Sequence, residues 1–127
     1  IANWLAARPE VAAVLCPMLP GAPGYDLWRR DFTGGCGLFS FILKGGDSAR
    51  RNRMIDALRL FGIGYSWGGF ESLVVPLDPA QYRSVTPWPP AGIDRADRFG
   101  LRLAIGLEDP ADLIADLDQA FTAMANT

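Results

Sequence analysis

Eleven arginines, one lysine and no histidine bound the chemistry open to this sequence of 127 residues. Without imidazole there is no Ser-His-Asp or Cys-His apparatus, no helical zinc-protease motif and no histidine-ligated metal within it. Cys16 and Cys36 stand apart without the paired spacing of a zinc or thioredoxin-like motif, so two buried thiols and no disulfide are expected. The densest unusual segment is Gly62-Ile-Gly-Tyr-Ser-Trp-Gly-Gly-Phe-Glu-Ser72, with four glycines and three aromatics. Its backbone can approach a ligand closely, Ser66 offers a hydroxyl and an amide, and Tyr65 and Trp67 offer flat walls with polar tips. A glycine-bearing turn with its aromatics plugged into the core explains the same residues, and both readings stay open on sequence alone. Arg102, on a strand end near Gly106, can grip a carboxylate with two parallel hydrogen bonds or lie on a wet sheet face. Lys44 is the only residue able to form a Schiff base, yet Gly45-Gly46-Asp47 after it reads as an exposed turn. Glu71, Glu108 and the aspartates of the last helix read as caps and solvated faces rather than acid–base groups.

The elements that must position these side chains follow from periodicity. Ile1, Trp4 and Leu5 sit at helical spacing over Ile1–Arg8, with no cap, as in a helix that has been cut. Val11–Leu15 reads as a short buried strand, closed by the Pro- and Gly-rich stretch 17–24, after which a loop is expected. Cys36–Leu43 is apolar on both alternating sets and reads as a strand covered on both faces. Asp47 caps a helix running to Phe61, with Met54, Ile55, Leu58 and Phe61 as its apolar stripe, Gly62 as its end and its arginines mostly solvated. Ser72–Val75 is a strand stopped by Pro76. Tyr82–Gly100 is a long Pro-rich connection. Leu101–Ile105 alternates, with Leu101, Leu103 and Ile105 on one face and Arg102 on the other. The last helix has the clearest signal: Asp109 as cap, Pro110 at the first helical position, Asp112 in the first turn, and a stripe of Leu113, Ile114, Leu117, Ala120, Phe121 and Met124. The mixture has too few βαβ units for a doubly wound sheet, so the expected fold is α+β, a small mixed and mostly antiparallel sheet with helices packed on it.

Composition sets the outer limits. Half the residues are apolar and a fifth charged, which describes one core-forming domain, not a disordered chain. The net charge of −2, spread without blocks of one sign, argues against a nucleic-acid footprint. The longest apolar run, Val11–Cys16, falls far short of a membrane span, and a cytoplasmic protein is expected.

Three stretches together resemble the fold-type I pyridoxal-phosphate enzymes of cysteine and methionine metabolism. They are Gly34-Gly-Cys-Gly-Leu-Phe-Ser-Phe41, the Leu60–Leu73 segment around Tyr65-Ser66-Trp67-Gly68-Gly69, and Leu101-Arg-Leu-Ala-Ile-Gly-Leu-Glu-Asp-Pro-Ala-Asp-Leu-Ile-Ala-Asp-Leu117. The resemblance runs from Ala2 to Phe121 and is to the C-terminal domain of that family only. It implies residues 1–127 as a single C-terminal domain, inactive by itself, with the cofactor-binding large domain upstream of Ile1. It implies elimination across the α,β bond of cystathionine, releasing homocysteine, pyruvate and ammonia, with pyridoxal 5'-phosphate as electron sink. Trp67 matches the β-eliminating members, whereas γ-synthase and γ-lyase relatives usually carry Leu there. The residues matching Arg102 and Ser66 hold the substrate carboxylate in similar enzymes, with Trp67 and, less firmly matched, Tyr65 lining the same pocket. The Schiff-base lysine and the phosphate cradle belong to the upstream part, and Lys44 does not match that lysine's surroundings. Further implied partners are an amino-acid substrate, the protein's own large domain and further copies in a homo-oligomer, a tetramer. A γ-acting relative and a stand-alone α+β small-molecule binding module are the alternatives.

Overall fold

A computed structural model describes residues 1–126. The chain runs α1 (Ala2–Ala6), β1 (Val11–Leu15), α2 (Tyr25–Asp31), β2 (Leu38–Leu43), α3 (Ser48–Ala57), β3 (Gly62–Ile63), β4 (Leu73–Leu77), α4 (Pro79–Tyr82), β5 (Gly100–Ala104) and α5 (Pro110–Ala125). The strands form one sheet in the order β1-β2-β5-β4-β3, antiparallel except for the parallel β3–β4 pair. This is the α+β architecture with a mixed, mostly antiparallel sheet that the pattern predicts.

Alternation along β5 gives the sheet two faces, one with Leu101 and Leu103 and the other with the half-buried Arg102 beside Ile42, Val75 and Ala104, which are buried too. Leu101 and Leu103 are fully buried, in register with Phe41 and Phe39 of β2. Leu103 also faces Val74 of β4. Over this face α5 lays Leu113, Leu117, Ala120, Phe121 and Met124, a stripe at helical spacing. Removing each such Leu or Phe from water stabilises the fold by about 1.5–3 kcal/mol. Asp109 starts α5 where expected, its side chain accepting from the Ala111 amide at 2.8 Å, with Pro110 next in line. Helix α1 joins the same core through Leu5, and Arg8 just after it is sandwiched 4.8 Å from the Trp4 ring and 4.6 Å from the Phe121 ring.

Several elements differ from expectation, each for a local reason. β1 is half-buried along its length, not buried, because it is the edge strand with β2 as its one neighbour. Where a loop is expected after Gly24, α2 forms. None of its residues is buried, so it carries no apolar stripe to read. It is held by the Tyr25–Trp28 ring contact and by Trp28 Nε1, which donates to the Gly34 carbonyl. Helix α3 starts at the Asp47 cap but ends at Ala57, short of Phe61. The carboxylate of Asp116 takes the amides of Arg59 and Leu60, which a continuing helix would have used itself. Asp116 is thus 5 % exposed, not on a solvated face. Pro76 does not stop β4; it lies inside it. Ser72 and Val74 turn their carbonyls toward β3, accepting from Gly62 and Gly64. Pro76 points the same way by alternation, but β3 has already ended, so no ladder bond misses its absent N–H. Cys16 is buried as expected, whereas Cys36 is exposed because β2 begins two residues later, at Leu38. The connection after Tyr82 is anchored by Trp88, whose ring N–H donates to the Asp97 carbonyl, and by the Asp97 side chain, which accepts from the Gly45 amide.

Candidate functional site

Arg102 occupies the middle of the central strand, not its end as expected, because β5 starts at Gly100 and stops at Ala104; it lies on the face opposite Leu101 and Leu103, with Ser40 of β2 and Val75 of β4 as register partners. It is half-buried, yet it takes part in none of the ion pairs among the described residues. Its Nη2 donates to the Ser66 carbonyl at 3.1 Å, and its guanidinium carbon lies 5.2 Å from the centre of the Tyr65 ring. A guanidinium carries five N–H donors in a planar fork. With one donor on Ser66 and one face toward Tyr65, the rest of that fork is available to an anion, and a carboxylate matches its geometry.

The segment that meets Arg102 enters through β3, where Gly64 donates its amide to the Val74 carbonyl at 3.2 Å. Ser66 Oγ then accepts from the Gly68 amide at 3.1 Å, tightening a local turn, and Gly68 adopts φ +138°, a region side-chain-bearing residues rarely visit. The Ser66 hydroxyl is therefore engaged within its own loop, and its carbonyl is the group that meets the guanidinium. Tyr65 is 79 % exposed and Trp67 83 %. The aromatics of this segment are not plugs in the core. Arg102, Ser66 and Tyr65 are in mutual reach; Trp67 stands out from the loop.

The far end of the loop is tied by groups that periodicity does not reveal. Ser72, 1 % exposed, donates its amide to Glu108 Oε1 at 2.9 Å and its hydroxyl to Glu108 Oε2 at 2.7 Å. The same hydroxyl accepts from the Gly106 amide at 2.8 Å, and Leu107 donates its amide to the Phe70 carbonyl. The Ser72 amide, and then its hydroxyl, hold the Glu108 carboxyl below the usual carboxylate range. The partly buried Glu108 carboxylate is thus tied to Ser72, whereas Glu71, next to Ser72 in sequence, is exposed. The missed signal is the pairing itself, since Ser72 and Glu108 are far apart in sequence and obey no local spacing.

Lys44 is exposed at the end of β2, its amide on the Glu10 carbonyl. It lies four residues along the strand from Ser40, Arg102's register partner, or about 13 Å at 3.3 Å per residue. Among the described residues there is no cluster of three or more His, Cys, Asp or Glu suited to a metal and no helix long and apolar enough to cross a membrane. A separate apolar groove of about 760 Å³ runs between α2 and the 34–38 segment, with Met18, Leu27, Trp28, Phe32 and Cys36 on its walls. Asp31 is the one charged residue lining it, so it offers no counterpart to an anionic group.

Against known proteins, the sequence pattern of the Cys/Met metabolism PLP-dependent enzymes matches residues 1–122. The chain is 46% identical over 122 residues to a cystathionine beta-lyase of Escherichia coli, covering 95% of this chain and 30% of that protein. It is 39% identical over 130 residues to an L-methionine gamma-lyase of Pseudomonas deceptionensis, covering 98% of this chain and 31% of that one. Among solved structures, an O-acetylhomoserine (thiol)-lyase of Campylobacter jejuni superposes with a TM-score of 0.71 at 33% identity, over 95% of this chain and 26% of that chain. That crystal structure contains N'-pyridoxyl-lysine-5'-monophosphate. The chain spans about 30% of the length of the curated relatives it matches.

Proposed function

The chain belongs to the Cys/Met metabolism PLP-dependent enzymes, and from that membership we propose that residues 1–127 are the C-terminal, substrate-carboxylate-binding domain of a carbon–sulfur lyase acting on cystathionine. The observation that carries this reading is the guanidinium of Arg102, free of acidic partners among the described residues and steadied by Ser66 and Tyr65 on the sheet face opposite Leu101 and Leu103. Two parallel N–H bonds from Arg102 fix both oxygens of an α-carboxylate, and with them the position of the substrate's Cα. Tyr65 keeps the guanidinium from swinging across the face, and Trp67 lines the approach.

Pyridoxal phosphate, the family's group, serves as an electron sink when bound to the whole enzyme. The residues described here do not fit as its attachment site. The one amine, on Lys44, is exposed well away from Arg102's row. The attachment lysine and the phosphate cradle are assigned to a large domain upstream, which is this domain's first partner. The assembled enzyme is proposed as a homo-oligomer, a tetramer, in the cytoplasm.

The relatives at 46% identity named for cystathionine beta-lyase favour β-elimination over the γ-chemistry named for the relative at 39%. The test is kinetic, with L-cystathionine and the full-length enzyme. Pyruvate as product supports β-elimination, and 2-oxobutyrate replaces it with a γ-lyase. Arg102→Lys keeps the charge but loses the fork, and kcat/KM should fall roughly 10- to 150-fold, further in Arg102→Ala. Near-normal kcat/KM in Arg102→Ala removes the carboxylate role.

A further inference from the structure

We propose that Glu108 is a positioning residue for the Arg102 clamp: by holding Ser72 it fixes the loop whose Ser66 carbonyl orients the guanidinium. The inference rests on the reading of Arg102 as a carboxylate ligand and adds to it a residue outside the contact set.

The argument starts from what else holds the loop. Between Gly64 and Ser72 the large side chains point outward, with Tyr65 at 79 %, Trp67 at 83 % and Phe70 at 75 % exposure. Apolar burial, which fixes most loops of this size, contributes little here. What remains is polar. At one end Gly64 is laddered to Val74. At the other, Ser72 is buried and meets both oxygens of Glu108 while accepting from the Gly106 amide.

Glu108 and Gly106 lie in the turn that follows β5, the strand bearing Arg102. The knot therefore joins the two halves of the clamp, the guanidinium's strand and the carbonyl's loop, at a point that itself touches neither. Both Glu108 contacts are charge-assisted, and Ser72, which receives them, is buried. Loss of the carboxylate leaves a buried amide and hydroxyl short of a partner, and the loop is free to drift from Arg102. A shift of a fraction of an ångström at Ser66 is enough to turn the fork away from a bidentate approach.

The experiment is a double-mutant cycle in the full-length enzyme with L-cystathionine, together with thermal melts and amide hydrogen exchange. Glu108→Ala should raise KM roughly 10-fold while changing kcat less than about 2-fold, and should speed exchange across Tyr65–Phe70. Glu108→Gln, which retains one acceptor, should restore much of the KM; if Glu108→Ala does not fold, Glu108→Gln and Ser72→Ala carry the same comparison. In an Arg102→Ala background, Glu108→Ala should leave KM unchanged, because its effect passes through Arg102. Full additivity of the two KM effects overturns the positioning role but leaves the carboxylate reading intact. A drop in melting temperature at unchanged KM does the same. An Arg102→Ala enzyme with normal KM overturns the carboxylate reading itself.

Discussion

Gly106 lies against the backbone of Phe70 so closely that a methyl group has no room between them. An added Cβ would stand 2.4 Å from the Phe70 carbonyl oxygen and 2.5 Å from the Glu71 carbonyl carbon. Both obstacles are main chain and cannot rotate aside. Gly106→Ala must therefore push the Tyr65–Ser72 loop off the β5 end and weaken the Leu107 amide bond to Phe70. A stability loss of about 1–3 kcal/mol is expected, the usual range for overpacking. Urea unfolding measures the loss, and hydrogen exchange at Leu107 locates it. A variant as stable as the parent, with Leu107 still protected, would contradict the close approach.

Asp116 ends α3 from a distance. Its carboxylate accepts from the Arg59 amide at 3.0 Å and the Leu60 amide at 2.8 Å, and Gln119 donates to it while also reaching the Ala57 carbonyl. Asp116→Ala leaves those partly buried amides unpaired and should cost about 1–3 kcal/mol. Asp116→Asn keeps one acceptor oxygen and should cost less. Equilibrium unfolding of the two variants gives the order directly, and equal or reversed losses would show that Asp116 does not serve as the acceptor.

The two thiols should report the fold by reactivity. Cys16 is 2 % exposed, whereas Cys36, on the wall of the apolar groove, is exposed. A thiol reagent applied to the native protein should modify Cys36 alone, and Cys36→Ser should abolish the native reaction. Modification of Cys16 before denaturant is added would place the β1 end elsewhere.

These contacts also mark how far the sequence could be read. Elements with an apolar run, a cap or a helical stripe are legible to within a residue or two: Val11–Leu15, the Asp47 cap, and the Asp109 cap and apolar stripe of α5. Helix α2 is not, because a helix that buries nothing leaves no periodic trace. The sequence carries α3 on to Phe61 because the true stop is a carboxylate from a different helix, 57 residues on from Arg59. Pro76 looks like a breaker because a sequence does not say on which side of a strand the sheet has run out. For the site, alternation isolated Arg102 from Leu101 and Leu103. Its meeting with Ser66 through a carbonyl, and the Ser72–Glu108 knot, arise from tertiary pairing that no local pattern encodes.

The acid limb of stability should carry the signature of that knot. Glu108 is held below the usual carboxylate range by the Ser72 amide and hydroxyl, and Glu10 is held low by its bond to the Arg8 guanidinium. A carboxyl whose pKa is lower folded than unfolded contributes stability that is fully present above its unfolded value and lost as pH falls through the folded one. Unfolding free energy should therefore be flat from neutral pH down to about pH 5 and decline below the ordinary glutamate value of about 4.3. Glu108→Gln removes one such group. Its curve should lie below the parent's at pH 7, slope less steeply in acid, and converge on the parent once Glu108 is protonated. Urea denaturation at intervals between pH 7 and pH 3 distinguishes this from a purely structural loss, which would leave the two curves parallel and so remove Glu108's charge from any part in holding Ser72.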